Sequence, residues 1–175
     1  GIGKILASLK VHDLEDNTIV IFLSDNGGCA ETPGGNDPAR IPGPKEYYTH
    51  CGPGWAFAQN TPFRRYKQWV HEEGISTPFI VRYPGVVSAN SMTDQVGHIV
   101  DLLPTCQALA SAEYPTERDG TEILPTEGLD LSPVIRGEPR DGHEWLFWEW
   151  SGNRAVRYGQ WKLCWDKQIG EWELY

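Results

Sequence analysis

Three residues of this chain have types and settings that chemistry could use: Asp25, Asn26 and Lys67. Asp25 and Asn26 lie in "TIVIFLSDNGG", where a run of β-branched and apolar residues stops at an acid and an amide. In open α/β sheets ligands bind beyond the carboxyl ends of the strands. A carboxylate and an amide carbonyl are hard oxygen donors that suit Ca2+ or Mg2+. Asp-Asn-Gly-Gly is also an ordinary turn sequence, because each residue tolerates a left-handed backbone. Spacing alone leaves both readings open. Lys67 stands beside Arg64 and Arg65 in an acidic chain. A lysine ammonium is a compact charge with rotatable donors, fit to hold one oxygen of a tetrahedral anion. A solvated helix face accounts for the three cations equally well.

Other leads are weaker. His71-Glu72-Glu73 lacks the second histidine of a zinc protease helix, since position 75 is Ile. Asp101 reads as a helix N-cap with His98 packed beside it. Arg154 and Arg157 could receive an anion, but the polar face of a sheet explains them too. The chain has no Gly-x-Ser-x-Gly elbow, P-loop or dinucleotide fingerprint. Of the four cysteines, Cys106 and Cys164 sit in apolar contexts and read as core. Cys29 and Cys51 lie in Gly/Pro-rich stretches, where a disulfide between them is one option.

The elements that would position these residues can be read from periodicity. Ile2, Ile5, Leu6 and Leu9 mark one face of a first helix. The unbroken run "TIVIFLS" then predicts a parallel strand buried on both faces. Residues 27–62 are too rich in Gly and Pro for long regular structure, and the stretch from Thr32 to Gly54 is a candidate specificity loop. Phe63, Tyr66, Trp69 and Val70 predict a short helix carrying Lys67, ending near Gly74. "TPFIVRYPG" predicts a second buried strand. Residues 94–112 predict a helix with Pro104 in its first turn. From Glu144 the chain becomes short, aromatic and alternating. In "QWKLCWD", Trp161, Leu163 and Trp165 alternate with Lys162, Cys164 and Asp166, the period of a sheet with one wet face. Tyr158-Gly159-Gln160 should close a hairpin. The expected fold is therefore α/β with a small C-terminal antiparallel β-sheet, divided as residues 1–142 and 143–175.

Composition sets the outer limits. The chain has 175 residues, a net charge of −9 and 39% hydrophobic residues, enough for a real core. A sequence pI near 5.0 argues against binding a nucleic-acid backbone, which needs a basic face. No apolar run is long enough to span a bilayer. The chain begins with Gly and ends at "EWELY" without a tail, which reads as a segment cut at both ends.

Taken in order, the motifs resemble the C-terminal portion of a type I sulfatase of the arylsulfatase family. "NTIVIFLSDNGGCAE" is similar to that family's strand and Asp-Asn-Gly metal turn. "GWAFAQNTPFRRYKQWVHEEGISTPFIVRYPG" resembles the segment with its sulfate-contacting lysine. "HIVDLLPTCQALA" resembles its His-x-x-Asp-Leu-x-Pro-Thr helix, and "GNRAVRYGQWKLCW" with "WELY" its C-terminal hairpin. The resemblance implies the alkaline-phosphatase-like α/β/α sandwich, here partial, and hydrolysis of sulfate esters. It implies that Asp25 and Asn26 ligate Ca2+ (or Mg2+) and that Lys67 binds a sulfate oxygen. It implies a formylglycine nucleophile, with further metal aspartates and a histidine, all in an N-terminal half. No Cys/Ser-x-Pro/Ala-x-Arg motif occurs in this chain, so the isolated segment is expected to be inactive. Glu73 stands where the family usually has Gly, and Trp150-Ser151 where relatives often have His and Glu.

The partner the resemblance implies is a sulfated small molecule or sulfated polysaccharide, and the location periplasmic or secreted. Two rivals stay open. A phosphodiesterase or phosphonate hydrolase of the same superfamily would use the same metal, lysine and fold. A non-catalytic binder of sulfated glycans could use the eight tryptophans as stacking platforms.

Overall fold

The computed structural model describes residues 1–32, 39–41, 43–47 and 49–175. Positions 33–38, 42 and 48, which belong to the candidate specificity loop, lie outside the described residues. The chain forms two compact units, 1–21 with 80–143 and 22–79 with 144–175. The segment 22–79 clusters with the C-terminal strands, because its side chains reach into their sheet.

The first helix, α1 (Ile2–Val11), forms as its periodicity predicts, yet none of its residues is buried. Strands β1 (Val20–Leu23) and β2 (Phe79–Arg82) pair as a two-stranded sheet. They were expected to be buried on both faces, but Phe22, Phe79 and Ile80 are exposed. Among the described residues no third strand joins the pair, so little covers it.

In the first unit, a 3-10 turn at Ile99–Asp101 leads into α4 (Leu102–Ala110). Asp101 immediately precedes α4, as expected, but its carboxylate does more than mark the helix start. It is fully buried and accepts from the His98 and Leu129 amides at 3.0 and 2.8 Å, from Arg140 Nη2 at 3.0 Å and from His143 Nε2 at 2.7 Å. Burial pushes this carboxyl up, and those bonds more than offset it, leaving it below the usual range. A buried charge with every lone pair engaged is a structural pin. Cys106 on α4 is exposed and not core.

In the second unit, helix α2 (Gly52–Asn60) occupies a stretch read from sequence as loop. Pro53 falls in its first turn, where the missing N–H costs little. The short helix expected from Phe63 to near Gly74 is absent up to His71. Arg65 and Gln68 have φ of 79° and 82°, in the left-handed region that ends any α-helical run. The apolar spacing that suggested a helix comes from a winding segment, followed by the single turn α3 (Glu72–Ile75).

Strands β5 (Trp145–Trp150), β6 (Asn153–Tyr158), β7 (Trp161–Asp166) and β8 (Glu171–Leu174) form an antiparallel sheet in chain order. Tyr158 pairs with Trp161 across Gly159-Gln160, the expected hairpin, with Gly159 at φ 55°. The alternation in β7 is present, and the covered face is the one that carries Cys164. Lys162, Cys164 and Asp166 are buried, while Trp161 is 54% exposed. Cys164 packs with Val70 and Ala155 against Trp148, as a core cysteine should. Lys162 donates to Glu72 at 2.6 Å and lies over the Trp148 ring, 5.1 Å from its centroid. Asp166 takes the Arg65 guanidinium and the amides of Gln168 and Ile169. A period of two tells which residues share a face and not which face is covered. Here the covering segment brings matching charges, so the polar face goes inside.

Candidate functional site

The turn after β1 is held by close backbone contacts. Gly27 N–H donates to Gly74 O at 3.2 Å, and a Cβ on Gly27 would fall 1.5 Å from Glu73 O. A Cβ on Gly28 would fall 2.8 Å from Ala56 O. Neither glycine has a positive φ. The pair is required for close approach and not for the left-handed turn that its sequence suggested.

Asp25 is exposed at the end of β1, and Asn26 is half-buried beside it. Asn26 Nδ2 donates to Gly27 O at 2.8 Å. That bond engages the nitrogen of the amide and fixes which way its oxygen can face. Two oxygens of this kind are a fitting part of a Ca2+ or Mg2+ sphere, which needs six or more ligands. The remainder would have to come from other groups.

The structure brings Lys67 to this turn. Its backbone N–H donates to Gly28 O at 3.0 Å, two residues beyond Asn26. Its ammonium donates to Glu31 Oε2 at 2.9 Å. Gln68 Nε2 donates to the other oxygen of Glu31 at 2.7 Å, and the Cys29 thiol reaches Oε2 at 3.3 Å. The bond from Lys67, then those from Cys29 and Gln68, hold the Glu31 carboxyl down at about 2. The bond to Glu31 pushes Lys67 up, and Asp25 adds to this by its charge. Lys67 is thus fully protonated and shares a field with Asp25.

Arg64 and Arg65 do not join it. Arg64 pairs with Glu173 and donates to Tyr175 Oη at 3.1 Å. Arg65 pairs with Asp166 and stacks over Trp69, 4.1 Å from the ring centroid. His71 is buried with Nε2 against Glu173 at 2.9 Å. The bonds from His71 and Arg64 hold the Glu173 carboxyl at about 2. His71, Asp166 and Glu173 come within 4.8 Å of one another, the one such group among the described residues. Each carboxylate already has an arginine, so the charge there is balanced and no cation is called for. Cys29 and Cys51 are both free, with the Cys51 thiol donating to Cys29 O at 3.0 Å. Glu31 and Asn60 are the contributors that sequence reasoning missed. Neither has a local signal, because each acts through partners distant in sequence.

The family follows from direct comparison. Residues 1–112 match the model of the family described as Sulfatase, and residues 64–175 that of N-sulphoglucosamine sulphohydrolase, C-terminal. The chain belongs to the sulfatase family. An uncharacterized sulfatase of Schizosaccharomyces pombe is 30% identical over 99% of this chain and 35% of its own length. Human N-acetylgalactosamine-6-sulfatase is 36% identical over 87% of this chain and 28% of its own. The crystal structure of Ps i-CgsB in complex with k-i-k-neocarrahexaose matches 99% of this chain and 33% of that one, with a TM-score of 0.70 and 25% identity. The chain thus spans about a third of the length of the relatives it matches. The fold is the alkaline-phosphatase-like one, mixed α/β with a small C-terminal antiparallel sheet.

Proposed function

We propose that this chain supplies part of the active site of a sulfate-ester hydrolase. The observation that carries the reading is the Lys67 N–H bond to Gly28 O, which fastens a protonated lysine to the Asp25–Asn26 turn. In this reading Asp25 and Asn26 hold Ca2+ (or Mg2+), and Lys67 donates to an oxygen of the bound sulfate. A cation held by Asp25 and Asn26 would supply Lewis-acid polarisation of the sulfate, and the attacking oxygen would come from a formylglycine outside this chain. Lys67 contributes a fixed positive charge where negative charge builds at the tetrahedral centre. Glu31 pairs with Lys67 and would have to give way to the incoming anion. Family membership supports the sulfate ester. The names of two relatives, N-acetylgalactosamine-6-sulfatase and Ps i-CgsB in complex with k-i-k-neocarrahexaose, favour a sulfated glycan as substrate. A periplasmic or secreted location suits such a substrate. No helix among the described residues is long and apolar enough to cross a membrane.

The test is to assay the intact protein on p-nitrophenyl sulfate and p-nitrophenyl phosphate, with and without a chelator. Sulfate release that is lost on chelation and in Asp25→Ala is the expected result. Faster turnover of the phosphate ester would hand the site to phosphoryl transfer. Binding of sulfated glycan with no release of sulfate would make the protein a binder.

A further inference from the structure

We propose that Asn60 is a positioning residue that sets the Asp25–Asn26 turn against the Lys67 segment; this rests on the reading of those residues given above. Asn60 is the last residue of α2. Its Oδ1 accepts from Gly28 N–H at 2.9 Å. Its Nδ2 donates to Glu73 O at 3.3 Å and lies 3.5 Å from Arg65 O. One side chain therefore touches the turn, the segment leading to Lys67 and the start of α3.

The Gly28 peptide is gripped from both ends. Asn60 takes its N–H, and the Lys67 N–H takes its oxygen. Gly27 leaves no slack, since a Cβ there would lie 3.3 Å from Asn60 Nδ2 and 1.5 Å from Glu73 O. A rotation of the Asn60 amide would release the Gly28 N–H and let the turn move relative to Lys67.

The chemistry of the position requires an amide. Asn accepts and donates at once, which the contacts to an N–H and two carbonyls demand. Asp keeps the acceptor but sets a second carboxylate oxygen against the carbonyls of Glu73 and Arg65. Ala loses every contact. Residues that orient metal ligands typically change metal affinity by 10–100-fold when replaced, although they never touch the ion.

The experiment uses Asn60→Ala and Asn60→Asp in the intact protein, with Gln59→Ala as a control on the same helix end. The readouts are the Ca2+ concentration for half-maximal hydrolysis of p-nitrophenyl sulfate, kcat and KM separately, and the urea midpoint. Asn60→Ala should raise the half-saturating Ca2+ by about tenfold or more, with a higher KM and a lower kcat at saturating Ca2+. Asn60→Asp should fall between it and the parent, and Gln59→Ala should match the parent. A lowered urea midpoint with Ca2+ requirement and KM unchanged would overturn the proposal, because a purely structural residue would do that. Where the variants do not fold, or the parent has no sulfatase activity, hydrogen exchange on the unmodified protein decides. Exchange of the Asn60 side-chain amide and the Gly28 N–H should slow when Ca2+ is added. No slowing overturns the role of Asn60. Slowing without sulfate release upholds it while the catalytic reading falls.

Discussion

The second unit holds two lysine–glutamate pairs of similar length and opposite character. Lys67 and Glu31 meet at 2.9 Å with 34% and 42% of their side chains exposed. Lys162 and Glu72 meet at 2.6 Å with 4% and 35% exposed. The first lysine sits at the mouth of a turn, with water as an alternative partner for both charges. The second lies under a sheet with its stem among aromatic rings. Exposed pairs couple weakly and exchange partners easily, whereas a buried charge is tied to the partner it was folded with. The same chemistry therefore gives one cation that a ligand can recruit and one that belongs to the scaffold.

The widest gap between the two should show in a paired substitution. Lys67→Ala should lower kcat/KM of the intact protein on p-nitrophenyl sulfate by about a thousandfold and leave the urea midpoint where it was. Lys162→Ala should do the reverse, destabilising by about 2 kcal/mol through lost packing and a broken pair while activity per folded molecule is kept. If Lys67→Ala moved stability and not activity, the two lysines would be the same kind of residue and the comparison would collapse.

Asp166 sharpens the scaffold side. Its carboxylate has no exposure and faces Arg65, whose guanidinium also stacks on Trp69. Asp166→Ala should cost about 3 kcal/mol, because it leaves a guanidinium without its carboxylate and two turn amides without an acceptor. Replacing both partners, Arg65→Met with Asp166→Leu, should cost less than that single change. Urea unfolding of the parent and the two variants measures this, and equal losses for single and double would mean that the pair is not the unit.

The same contrast shows what the sequence could and could not reveal. Asp25, Asn26 and Lys67 stood out as candidates from a strand end, a turn and a cluster of cations, and their proposed roles come from the family resemblance. The structure puts the turn and Lys67 together through one backbone bond. The helix expected from Phe63 to near Gly74 failed up to His71 because apolar spacing counts residues and not backbone angles, and Arg65 and Gln68 take left-handed ones. Helix α2 was hidden by Gly52, Pro53 and Gly54, which read as loop residues but occupy a helix's first turn. The period of β7 was legible, but which of its two faces would be covered was not. Which face is buried depends on Arg65 and Glu72, which lie 101 and 90 residues from their β7 partners Asp166 and Lys162. Glu31 and Asn60 escaped for the same reason: their roles exist only once distant segments meet.

Glu73 gives the smallest effect and the sharpest sign. It is buried, and neither carboxyl oxygen has a hydrogen-bond partner among the described residues. Burial pushes its carboxyl above the ordinary value of 4.5. Glu173 is its opposite, held at about 2 by His71 and Arg64. A carboxyl raised by folding stabilises fully below its unfolded value and loses that contribution as pH rises through the folded one. A depressed carboxyl stabilises above its unfolded value and loses that contribution as pH falls towards 2. Glu73→Met should therefore stabilise the protein by about 1 kcal/mol at pH 8 and by less at pH 4. Glu173→Gln should destabilise at pH 8 and matter progressively less below pH 4.5. Urea midpoints of the two variants and the parent, taken from pH 3 to 8, should diverge in opposite directions. Parallel curves for Glu73→Met and the parent would mean that Glu73 gains no protonation on folding, and that its burial is matched by a partner.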